Sequence, residues 1–193
     1  MTTICPTITA SNVEDYRKQM EAVQDFATRL HIDFMDGELA PNKSIPIACA
    51  WWEKGPKVDL HVMYKRPLEQ LETLISLQPH LIIIHAEAEG VKDFLNETKG
   101  LGIALGLALL KDTSAEAVGP YLDYIDHVLV FSGVLGAFGG TVDLGLLDKV
   151  KALKQLKPEL EIGWDGGIND KHISQLVRGE VDVLNVGGFI QTS

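Results

Sequence analysis

The chain has 193 residues, 46% of them hydrophobic and 23% charged, with a formal net charge of −10, which is the composition of a globular protein with room for one sizeable core. An acidic chain with no basic block longer than Lys65-Arg66 lacks the electrostatic footprint of a nucleic-acid binder and matches an anionic membrane surface poorly. No run approaches the roughly 18 apolar residues of a spanning helix and the start carries no signal-peptide pattern, so a cytoplasmic protein is expected.

Two cysteines, Cys5 and Cys49, without CxxC spacing, indicate neither a disulfide framework nor a cysteine zinc site, and both are expected reduced and buried. Along the chain, short β-branched or apolar runs alternate with longer helix-period segments, the pattern of βα units and a parallel sheet. The strand-like runs are Thr3 to Ile8, Leu30 to Met35, Val58 to Met63, Leu81 to His85, Ile103 to Leu109, His127 to Phe131, Glu161 to Asp165 and Val181 to Gly187. Between them, Asn12 caps a helix predicted over Val13 to Ala27, and a shorter helix is expected within Ile45 to Lys54. Pro67 suits the first turn of a helix running to about Leu77, Ser114 is placed to cap another, and Asp143 opens a segment reaching Leu156.

Eight βα units predict an α/β fold, a (β/α)8 or TIM barrel formed by residues 1–193 as a single domain, near the lower size limit of about 200 residues. A doubly wound open sheet is the alternative. The chain runs only from Gly187 to Ser193 after the last strand, so an eighth helix is expected to be missing. That absence predicts an apolar groove between the first and seventh helices, covered by rearrangement or by a partner subunit, hence a homo-oligomer.

Alternate side chains of a strand share a face, so His31, Asp33 and Met35 point one way while Ile32 and Phe34 point the other. Barrel enzymes carry catalytic groups at the C-terminal ends of their strands. That rule selects His31 and Asp33 on the second strand, His61 on the third and Asp165 on the seventh. Two imidazoles and two carboxylates suit one divalent metal ion such as Zn, Mn, Fe or Co. Asp59 shares a face with His61, either as its neighbour in the site or as a separate buried polar group. Paired glycines at Gly139-Gly140, Gly166-Gly167 and Gly187-Gly188 let backbone N–H groups approach an anion such as phosphate.

The segments His31-Ile32-Asp33-Phe34-Met35-Asp36-Gly37 followed by Pro41-Asn42, Leu60-His61-Val62-Met63 with Pro67, and Asp165-Gly166-Gly167, in this order, resemble the ribulose-phosphate 3-epimerase family. The resemblance runs from Pro6 to about Ile190. It implies a (β/α)8 barrel that interconverts D-ribulose 5-phosphate and D-xylulose 5-phosphate, a small-molecule sugar phosphate pair of the pentose phosphate pathway, through an enediolate. It also implies that His31, Asp33, His61 and Asp165 hold the metal, with Asp33 and Asp165 as the acid/base pair. Thr7, Met35, Met63 and Phe131 stand where the family lines the substrate pocket, and the paired glycines where it binds phosphate.

Departures from the family gather around substrate and phosphate. Thr7 replaces a serine, the loop after the sixth strand lacks its proline and carries Phe131 in place of methionine, and Gly188 stands where serine is usual. These changes open two alternatives: a hexulose-phosphate 3-epimerase of the allulose 6-phosphate type, or a non-catalytic metal or sugar-phosphate binding relative. Of the other histidines, His85 matches a family His-x-Glu and is expected to be a structural imidazole. His80, His127 and His172 are expected at the surface or in packing, and Asp36 as an acceptor bracing a loop.

Overall fold

A computed structural model describes residues 2–136 and 140–187. Eight parallel strands close into a barrel in sequential order: β1 (Thr3–Ile8), β2 (Arg29–Met35), β3 (Lys57–Met63), β4 (Leu81–His85), β5 (Ala104–Leu109), β6 (His127–Phe131), β7 (Glu161–Asp165) and β8 (Val183–Val186). Closure comes from β1 pairing with β8, with Cys5 opposite Asn185. The outer layer holds α1 (Val13–Val23), α2 (Leu71–Ser76), α3 (Val91–Thr98), α4 (Leu147–Leu156) and α5 (Asp170–Arg178). The chain beyond residue 187 lies outside the described residues, and with it the expectation of a missing eighth helix and its groove.

Strand alternation sorts the core into two parts. Outward side chains such as Ile32, Phe34, Leu60, Ile84, Leu107, Val130 and Trp164 join the large cluster under the helices, as burial on both sides of a parallel sheet requires. A small separate cluster of Leu81, Ile83, Ala108 and Leu129 fills the barrel interior. Above and below it the interior turns polar.

The lower, N-terminal end is closed by charge. Arg29 Nε donates to Asp59 Oδ2 at 2.6 Å, and its two terminal nitrogens donate to the two oxygens of Glu161 at 2.8 Å each. His127 Nδ1 lies 2.8 Å from Glu161 Oε2. Asp59 is therefore not part of the upper constellation but half of a buried ion pair, and His127, 2% exposed, takes the packing alternative of the two expected for it. Room for its ring is made on the neighbouring strand, because a Cβ on Gly163 would stand 2.6 Å from His127 Nε2.

The helices depart from the sequence expectations where single residues intervene. Asn12 caps α1 as expected, accepting from Asp15 N–H at 2.9 Å. The helix ends at Val23, short of Ala27, and Phe26, which continues the apolar period in sequence, is 62% exposed. Within Ile45 to Lys54 only a 3₁₀ turn forms, over Ile47–Cys49. Tyr16 OH then donates to the Trp51 carbonyl at 2.7 Å, holding that stretch extended.

Pro67 opens a 3₁₀ turn that leads into α2, and Asp143 opens another ahead of α4. Beyond Ser114 the crossover over Ala115–Tyr121 is likewise 3₁₀, with Pro120 inside it removing an N–H, and Ser114 provides no side-chain cap. Cys5 is buried as expected but Cys49 is exposed.

Candidate active site

Strand register builds the upper site row by row. In parallel pairs, partners face the same way: Asp33 sits beside His61, Met35 beside Met63, and Thr7 beside His31. Across β6, β7 and β8, Phe131, Asp165 and Asn185 share one row. The four residues selected from sequence, His31, Asp33, His61 and Asp165, thus converge, with one ligand atom of each lying within 4.8 Å of the others.

Asp33 is the centre of this group. Its Oδ1 lies 2.9 Å from His61 Nδ1 and 3.2 Å from His31 Nε2, while Asp165 Oδ2 stands 3.9 Å from His61 Nδ1. Its other oxygen accepts from Thr9 Oγ1 at 2.6 Å. Thr9 is itself pinned by Gln19 on α1, whose amide bonds both the Thr9 N–H and its carbonyl. One carboxylate oxygen is thereby tied to the protein and the other left toward the imidazoles.

Electrostatics divides the two carboxyls. Burial favours the neutral form of Asp33, but the His31 and His61 imidazoles beside it outweigh that cost and hold its pKa well below the usual range. Asp165 is raised, first by burial and then by the Asp33 charge. His31 is raised because Asp33 overcomes the cost of burying its charge.

The residues fit a divalent cation. His31 is fully buried, yet neither of its ring nitrogens makes an aligned hydrogen bond, so the Asp33 contact is a proximity rather than a bond. Among the described residues no lysine or arginine pairs with Asp33 or Asp165. A cation at this spot would replace carboxylate repulsion with attraction and give the imidazole lone pairs an acceptor.

The group opens onto a cavity of about 300 Å³, at the lower end of the range for small-ligand sites. Thr7, Met35, Met63 and Phe131 line it, with Gly140, Gly166, Gly167 and Gly187. Gly139 and Gly188 lie outside the described residues. Gly166 is required by packing, since at φ +102° a Cβ would stand 2.2 Å from Gly133 N. Met35 and Met63 pack with Ala40 and Leu135 into an aprotic wall. Asp36 braces the loop as expected, accepting from the N–H groups of Glu38, Leu39 and Lys65.

Of the lining residues that escape sequence reasoning, Asn185 and Thr9 bear on the chemistry. Asn185 reaches the cavity with its Oδ1 buried and unpartnered, as is Thr7 Oγ1. A polar residue between Leu184 and Val186 on an otherwise apolar last strand, Val183-Leu184-Asn185-Val186, was the available signal. Thr9 gave none, because its link to Asp33 spans 24 residues.

A profile described as the Ribulose-phosphate 3 epimerase family matches residues 3–190. The ribulose-phosphate 3-epimerase of Helicobacter pylori (strain ATCC 700392 / 26695) is 33% identical over 196 residues, covering 97% of this chain and 89% of that protein. That of Treponema pallidum is 28% identical over 166 residues, covering 82% and 76%. Among solved structures, 3-hexulose-6-phosphate synthase from Salmonella typhimurium superposes with a TM-score of 0.73 at 15% identity, covering 100% of this chain and 92% of the other. N-acetylmannosamine-6-phosphate 2-epimerase from Clostridium perfringens gives 0.69 at 14% identity, covering 97% and 87%. At such identities these two show the shared barrel alone.

Proposed function

Because the chain belongs to the ribulose-phosphate 3 epimerase family, we propose that this isomerase inverts C3 of a ketose phosphate, with D-ribulose 5-phosphate and D-xylulose 5-phosphate as the pair. The observation that carries the proposal is the meeting of Asp33 and Asp165 with His31 and His61 over one cavity. Inversion beside a ketone needs a proton removed from one face and returned to the other, so two carboxylates must approach from different directions. Asp33 comes from β2 and Asp165 from β7, with β1 and β8 between them around the ring.

His31, Asp33, His61 and Asp165 would hold the divalent ion. When bound, the ion supplies a Lewis acid that makes the C3 proton easier to remove. Thr9 keeps one oxygen of Asp33 fixed, so that the carboxylate presents a constant edge to the substrate. Met35, Met63 and Phe131 keep protic groups away from the reacting carbons. Thr7 and Asn185 offer unpaired oxygens to sugar hydroxyls, and the glycine loops at Gly140, Gly166, Gly167 and Gly187, together with Gly139 and Gly188, are assigned to the phosphate. A cytoplasmic homo-oligomer working in the pentose phosphate pathway is the accompanying expectation.

Incubating zinc- or cobalt-loaded protein with D-ribulose 5-phosphate in D₂O tests this directly. Xylulose 5-phosphate and deuterium at C3 are the expected products, and Asp165→Asn should lower the exchange rate roughly 10²- to 10⁴-fold. Absence of both products with the wild-type protein would overturn the assignment, and a larger kcat/KM on allulose 6-phosphate would move it to the hexulose. The loop after β6, with Phe131 and Gly133 on the cavity wall, is what favours testing that second sugar.

A further inference from the structure

His85 and Glu87 touch neither the cavity nor the four-residue group's open side, yet His85 is fully buried with both ring nitrogens engaged. Glu87 is the fixed end of the arrangement. Its Oε1 accepts from Leu110 N–H at 3.1 Å and from Thr113 Oγ1, and its Oε2 lies 3.2 Å from His85 Nδ1. These bonds, against the cost of burial, hold its pKa at about 2. A carboxylate only accepts, so His85 carries its proton on Nδ1.

A neutral imidazole protonated at Nδ1 presents a lone pair at Nε2. His85 Nε2 lies 2.9 Å from His61 Nε2, which must therefore donate. The other His61 nitrogen, Nδ1, makes a 2.9 Å hydrogen bond to Asp33 Oδ1 and lies 3.9 Å from Asp165 Oδ2, so it is the nitrogen that a cation between these carboxylates would meet. Run in the opposite sense, the chain would set a bare His85 nitrogen against the Glu87 carboxylate, two acceptors at 3.2 Å; a bare His61 Nδ1 facing Asp33 Oδ1 at 2.9 Å is relieved only when a cation stands between them. The rings are held in place by packing as well: His61 and His85 stack with centroids 5.1 Å apart, and Phe131 closes on both, at 6.0 and 6.2 Å.

We propose that Glu87 and His85 are positioning residues that orient the His61 ring and give its Nε2 proton an acceptor, so that Nδ1 can offer its lone pair once a cation displaces the contact with Asp33. This rests on the metal-dependent reading of the site. Ligating histidines are commonly oriented by a carboxylate or carbonyl on the far nitrogen. Here an extra imidazole is inserted, and the anchoring carboxylate stands on a different strand end, braced by the loop after β5.

The test is zinc affinity by competition with a chromophoric chelator, together with long-range ¹H–¹⁵N correlation spectra of the zinc-loaded wild type. Glu87→Gln places an amide N–H₂ against one of its present donors and should weaken zinc binding roughly 10- to 100-fold. The wild-type spectra, which need no variant to fold, should show His61 metallated at Nδ1 and protonated at Nε2, and His85 protonated at Nδ1. A proton on His85 Nε2, ligation through His61 Nε2, or a Glu87→Gln affinity within twofold of wild type overturns the inference while leaving the proposed reaction standing. A wild-type protein that takes up no zinc, manganese or cobalt overturns both.

Discussion

The two ends of the barrel carry the same kinds of side chain, from the same strands, to opposite effect. β2 supplies Arg29 below and His31 and Asp33 above; β3 supplies Asp59 and His61; β7 supplies Glu161 and Asp165. Below, two carboxylates and an imidazole close around a guanidinium that is covalently part of the chain. Above, two carboxylates and two imidazoles converge with no such side chain among the described residues. The lower cluster is complete by itself, whereas the upper one has the donors of a cation site and needs its cation from outside. This matches the general division of barrels into a stabilising N-terminal face and a reacting C-terminal face.

Removing the internal cation should make the lower end fail where it now holds. Arg29→Met leaves Asp59, 1% exposed, without its partner and Glu161 without its two parallel hydrogen bonds. Breaking a buried pair from one side costs about 3–5 kcal/mol; with Glu161 39% exposed, the low end, about 3 kcal/mol, is expected. Urea denaturation measures it. Zinc affinity of the folded variant should stay within threefold of wild type, and a larger loss would mean that the two ends are not independent.

The converse experiment supplies the upper cation. Zinc or cobalt at about 100 times its dissociation constant should stabilise the fold by about 2.7 kcal/mol, and a chelator should remove that increment. Thermal melts with and without metal check it on the wild type and on Arg29→Met. The two variants should show the same increment, because the lower cluster contributes nothing to the site. No metal-dependent shift in the wild type would contradict the reading of the upper end.

Much of this contrast is legible in the sequence, but unevenly. Strand limits come through within two residues, because each strand alternates between a helix-facing apolar side and an interior side. His31, Asp33, His61 and Asp165 are legible for the same reason: each is a polar residue on the interior face of its strand, with Asp165 at the strand's C-terminal end. What joins residues far apart along the chain is not. Arg29 and Glu161 are separated by 132 positions and His61 and His85 by 24, and no spacing rule signals either pair. His127 reads as an unremarkable strand start because the space it fills is created on another strand, at Gly163. The 3₁₀ crossovers are misread as helices because apolar period survives where Pro120 or a carbonyl taken by Tyr16 has removed the bonding.

The smallest expected effect separates the ends by acid. Burial favours the neutral form of Glu161, but His127 and Arg29 outweigh it and hold its carboxyl well below its ordinary value of 4.5. The folded state therefore binds fewer protons than the unfolded one through this range, and the group's contribution is complete above the unfolded value and fades as pH falls below it. Partial exposure and salt screening keep the effect modest. In melts between about pH 6 and pH 3, with chelator present so that the upper site holds no cation, Glu161→Gln should flatten the acid limb relative to wild type. Parallel curves would show that the acid sensitivity belongs elsewhere and that the lower cluster packs without its charges mattering.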